Sequence, residues 1–90
     1  MLSKIVPPPG KLIKIVAVAR SEEHVITLSG GRATKSGRPV AAPGDYALNP
    51  TGQPHSAMIA TETTALVICS GEADEVQSIE VVDLDGEAAA

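Results

Sequence analysis

Short β-branched runs, each cut off by a turn, constrain this chain more than any other feature. Ile13, Ile15, Val16 and Val18 mark a strand over 11–19, and Val25 to Leu28 mark another that ends at once in Ser29-Gly30-Gly31. Further extended runs are expected over 2–6, 40–42, 46–49, 55–59, 64–69 and 78–82. Between them stand Pro7-Pro8-Pro9-Gly10, a polar hairpin around Gly37, Pro43-Gly44, Pro50-Thr51-Gly52, Thr61-Glu62-Thr63 and Ser70-Gly71. Residues 72–75 read as a single helical turn, and Ser21-Glu22-Glu23 reads as a tight break or a helix start capped by Ser21. Turns recurring roughly every 8–12 residues are the pattern of an all-β barrel or sandwich. No helix longer than about two turns is expected, since helices need longer uninterrupted runs.

Ninety residues make one domain, here 1–90, with an N-terminal arm over 1–10 and a frayed acidic tail over 83–90. The chain has no Trp or Phe, and Tyr46 is its only aromatic. Its core must be built from Val, Ile, Leu and Ala, and a domain this short buries only about 60–65% of its unfolded surface. Pairing with a second copy is the obvious source of more burial, so a homodimer is expected, with the 2–6 and 78–82 segments covering partner edges.

The net charge of −4 argues against nucleic acid as a partner. Lys4, Lys11 and Lys14, and the acidic run from Glu72 onward, read as solvated surface. No segment approaches the ~20 apolar residues of a membrane span, and prolines interrupt the N-terminal apolar piece before a signal-peptide core forms. Cys69 is the single cysteine, so no internal disulfide forms; the expected location is cytoplasmic, with no membrane partner.

One stretch points to chemistry. Gly44 and Gly52 mark turns on either side of the short run 46–49, and His55 opens the next strand. An imidazole held by two turns points where the turns aim it. Glu23 begins a strand in which Glu23, Val25 and Thr27 share a face, while His24 points to the opposite one as a surface or dimer contact. A carboxylate beside His55 would orient the ring. Cys69 shares a face with Val67 and Ala65, as a small core residue or a ligand. Tyr46 packs the core or an interface, or borders a pocket. Arg32, Lys35 and Arg38 are hairpin charges; the Ser29-to-Ser36 stretch is no phosphate loop, because Ser29 and Thr34 stand where glycines are needed. No Gly-x-Ser-x-Gly, Cys-x-x-Cys or His-Glu-x-x-His occurs.

The spacing Gly44-x5-Pro50-x-Gly52-x2-His55 resembles the second motif of the cupin family of small β-barrels, and Glu23-x6-Gly30 fits the end of its first motif. Ala42-Pro43-Gly44-Asp45 resembles the turn that family places before the second motif, and the likeness runs over roughly residues 11–70. The resemblance implies a single-domain barrel of jelly-roll type whose cavity His55 faces, usually as a metal ligand. The family's metal-binding members carry His-x-His before the glutamate; here the place reads Val16-Ala17-Val18, and Ile59 replaces the trailing asparagine. A metal needs three or four protein ligands, so no cofactor is expected. Were a divalent metal bound, His55, Glu23 and Cys69 would hold it.

The expected function is binding of a small molecule in a cavity lined by His55, Glu23, Tyr46, Thr27, Val25, Ala57 and Ile59. Two alternatives remain open. One is a small cupin enzyme of isomerase, dioxygenase or nucleoside phosphorylase type using His55 and Glu23. The last resembles this chain in Glu22-Glu23 and Ser29-Gly30. The other is a metal-sensing or structural cupin module, as in some anti-sigma factors.

Overall fold

The computed structural model describes residues 1–84. Its strands are β1 (Leu2–Ile5), β2 (Lys11–Val18), β3 (Glu23–Ser29), β4 (Tyr46–Asn49), β5 (Pro54–Ile59), β6 (Thr63–Cys69) and β7 (Glu75–Asp83), with no helix among the described residues. All neighbours pair antiparallel, in a four-stranded sheet of order β1-β6-β3-β4 and a three-stranded sheet of order β5-β2-β7. The protein is therefore all-β, with two antiparallel sheets whose edges, β1, β4, β5 and β7, are open. Among the described residues no helix is long and apolar enough to cross a membrane.

Period-two alternation decides which side chains meet. In the four-stranded sheet Glu23 lies opposite both Asn49 and Cys69, and Val25 opposite Ala47 and Val67. In the other sheet His55 lies opposite Ala17, Ala57 opposite Ile15, and Ile59 opposite Ile13. These odd-numbered sets, Cys69 and Ile13 apart, line one cavity between the sheets. The buried apolar residues among those described are Leu12, Ala17, Ala19, Ala33, Ala41 and Ile59. Four of the six are alanines, so the sheets hold little side-chain volume between them, and a gap remains.

Three expectations give way to the structure. Residues 40–42 form no strand: Pro39 and Pro43 remove backbone donors on both sides, and the loop binds instead through Val40 N to Arg32 O at 2.9 Å and Ala33 N to Met58 O at 2.8 Å. Residues 72–75 make no helical turn, and the last strand begins at Glu75 rather than 78. That strand carries an extra residue, since Val16 pairs with Ser78 but Ala17 with Val76; the bulge brings Val76 onto the cavity face. Of the tail expected over 83–90, Asp83 closes β7, and residues 85–90 lie outside the described residues. The arm expected over 1–10 contains β1, which pairs with β6 of its own sheet.

Candidate functional site

Three loops converge at one end of the cavity, each bringing one side chain. The β4–β5 turn closes with Gln53 N to Pro50 O at 3.3 Å, and Gly52 at its third position has φ +83°, the conformation a type II turn requires there. Gly52 N donates to Ala19 O at 2.7 Å, which fixes this turn against the end of β2 and delivers His55. Glu23 follows the break at Ser21-Glu22 and opens β3 facing inward. Asp74 comes from the β6–β7 loop. That loop is held by Ser70 N to Glu22 O (3.0 Å), Gly71 N to Ser21 Oγ (3.0 Å) and Ser21 Oγ to Glu72 O (2.7 Å). Arg20 adds ion pairs to Glu72 at 3.4 Å and Glu75 at 3.3 Å.

His55 Nε2 donates to Asp74 Oδ2 at 2.6 Å and stands 3.9 Å from Glu23 Oε1. Asn49 Nδ2 donates to Glu23 Oε1 at 2.7 Å, and the Cys69 thiol lies 4.0 Å from Glu23 Oε2. The Glu23 side chain is 7% exposed and that of Asp74 13%. Asp74 Oδ1 is closed off from solvent and has no hydrogen-bond partner among the described residues.

Burial pushes the Glu23 carboxyl above its ordinary range; Asp74, as a hydrogen-bonding neighbour and a like charge, pushes it further, while Asn49 and His55 pull it back. The Cys69 thiol is raised too, by burial first and then by Glu23 and Asp74, and so stays neutral. Ligand atoms of Glu23, Cys69 and Asp74 lie within 4.8 Å of one another, so these are the groups that could approach a cation. Asn49 engages Glu23 Oε1 and His55 engages Asp74 Oδ2, which leaves Glu23 Oε2, Asp74 Oδ1 and Cys69 Sγ facing one another. Ala17, opposite His55, adds no donor to the cluster.

The cavity beyond the cluster holds about 290 Å³, roughly twice the ~150 Å³ that accepts benzene in an engineered core. Ile15, Val25, Ala57, Ala65 and Val67 make its middle apolar, and Arg32 and Asp45 stand near the far end. Val25, Thr27, Ala57 and Ile59 line it, together with Glu23 and His55. Tyr46 touches the rim, but its ring stacks on His24 with centroids 5.8 Å apart, on the outward face. Its phenol is thus turned away from the cavity.

Sequence reasoning passed over Asp74 and Asn49. Asn49 follows from alternation once Glu23 and Asn49 are known to be register partners. Asp74 sits in an acidic run with Glu72 and Glu75, and nothing local marks it as the inward member. Neither a family model, nor a curated protein, nor a solved structure matches the chain.

Proposed function

We propose that the chain is a cupin-like barrel-type binding protein that holds a small, mostly apolar molecule by its polar head, without a resident metal. One observation carries this reading: a cavity of about 290 Å³ with an apolar middle has a buried polar cluster, Glu23, Asn49, His55 and Asp74, at one end. Pockets of this kind take affinity from apolar walls and orientation from a few polar groups. Two carboxyls, one with an unpartnered buried oxygen, favour a head that brings donors of its own. An ammonium group donates to both. A phosphate or carboxylate head is repelled at this end, which argues against a phosphorylase. The lone free Cys69 fits a reducing, cytoplasmic setting.

The test is a thermal-shift and calorimetric screen of primary amines of about 8–12 non-hydrogen atoms, beside matched alcohols, carboxylates, nucleosides, sugars and divalent metals. Amines should raise the melting temperature of the parent more than their alcohols, and much less that of Glu23→Gln and His55→Ala. Equal shifts for parent and variants would remove the cluster from the binding site. Elemental analysis near one metal equivalent per chain would overturn the metal-free reading in favour of a sensing module.

A second reading, a proton-moving enzyme of isomerase type, rests on the His55–Asp74 bond at 2.6 Å beside the Glu23 carboxyl. A base oriented by a carboxylate and a separate acid are what such a reaction needs. Turnover of a bound amine, followed by exchange of a carbon-bound proton with deuterated solvent, would select it.

A further inference from the structure

We infer that the outer face of the four-stranded sheet is the surface through which two copies of this chain associate. Register puts Leu2, Leu66, Ile26 and Tyr46 in one row straight across β1, β6, β3 and β4, and Ile68, His24 and Leu48 in the next. All are even-numbered and face away from the cavity. Leu2 is 66% exposed, Tyr46 57%, Ile68 50% and Leu48 45%. A sandwich sheet with one face in water alternates apolar and polar, whereas β6 reads Ala65-Leu66-Val67-Ile68, apolar on both faces, as in sheets covered on both sides.

The polar groups of this face are already satisfied. The Tyr46 hydroxyl and His24 Nδ1 lie 2.5 Å apart, and His24 Nε2 donates to Glu22 Oε1 at 3.0 Å. Covering them leaves no new unpaired donor, so burial costs little. Tyr46, held by its stack on His24, is a ready aromatic anchor at an interface.

The occupant is a second copy. Residues 85–90 offer only three alanines as apolar cover beside a glycine and two acids. The net charge of −4 disfavours an anionic lipid surface. Four large side chains near half exposure, with Ile26 and Leu66 between them, exceed the scattered apolar residues normal on a monomer. Contiguous apolar rows of this kind mark interaction sites. A two-fold pairing buries both patches at once, two sheets packing about 10 Å apart. The chain needs this, because Leu12 is its only large side chain that is fully buried among the described residues.

Light scattering over a dilution series should show twice the 9.2 kDa of one chain. Ile68→Glu should give a monomer, and Ile79→Glu, on the exposed edge strand β7, should leave the dimer intact. A parent that is monomeric at tens of micromolar overturns the proposal, as does a dimer that survives Ile68→Glu or is lost in Ile79→Glu. Should Ile68→Glu fail to fold by circular dichroism, the unaltered chain decides. Tyr46 is its sole fluorophore of note, so acrylamide quenching should fall at least twofold as concentration rises through association. Quenching independent of concentration overturns the proposal.

Discussion

At the scale of the residue, Glu23 carries the sharpest consequence of the structure. Its carboxyl is held above its ordinary value of 4.5, by burial first and by Asp74 second. The folded state therefore binds a proton there that the unfolded chain has lost. Stability from this site is complete below about 4.5 and is lost as pH rises through the raised folded value. Glu23→Gln keeps the shape, keeps an acceptor for Asn49 and supplies a permanent donor toward Asp74. The melting temperature of the parent should fall with rising pH relative to that of Glu23→Gln, so that the variant gains on the parent toward neutral pH. His55, Asp74 and Cys69 face the same spot and are present in both proteins, so the difference between the two curves reports on the Glu23 carboxyl in that setting. Parallel curves from pH 4 to 8 (about the range in which carboxyl and imidazole titrate) would show that Glu23 is ionised throughout.

At the scale of the element, what could be read from the chain divides along local and non-local lines. The run of Ile and Val over 11–19 and the stop at Ser29-Gly30-Gly31 are local signals, and β2 and β3 lie where those signals put them. Glu23 and His55 were legible for the same reason: alternation and two turns determine their direction. The strand expected at 40–42 failed because flanking prolines outweigh a single β-branched residue. Asp74 was illegible because its direction depends on Arg20, Ser21 and Glu22, about fifty positions away, and on the following bulge in β7. The outer apolar rows exist only once the register is known. The turn that aims His55 is open to test. Gly52 has φ +83° and open space around it, so a substitution there meets backbone strain and no clash. Gly52→Val should cost about 1–2 kcal/mol, the price of a left-handed residue that is not glycine. It should also weaken amine binding by moving His55. Chemical denaturation measures the first effect and calorimetry the second; an unchanged midpoint would mean that the turn adopts another conformation without strain.

At the scale of the whole molecule, the thin core and the cavity are one fact seen twice. Alanines at 17, 47, 57 and 65 on facing strands leave the gap that a ligand would fill, and the same gap leaves a 90-residue chain short of buried apolar area. Ligand, partner and sequence are then three ways to supply missing burial, and they should trade against one another. Ala65, on β6 opposite Thr27, points into the middle of the cavity, away from Glu23, His55 and the outer face. Ala65→Ile adds apolar volume there and a β-branched side chain where the strand prefers one. It should stabilise the chain by about 0.5–2 kcal/mol, as cavity filling commonly does. It should also abolish the thermal shift given by amines, because the space they need is taken, while the oligomeric mass stays as in the parent. Calorimetric melting with and without amine, beside light scattering, reads all three quantities on one sample. A destabilised Ala65→Ile would mean that the sheets already pack closely at this level. A stabilised variant that still binds amine as the parent does would place the ligand outside the space between the sheets.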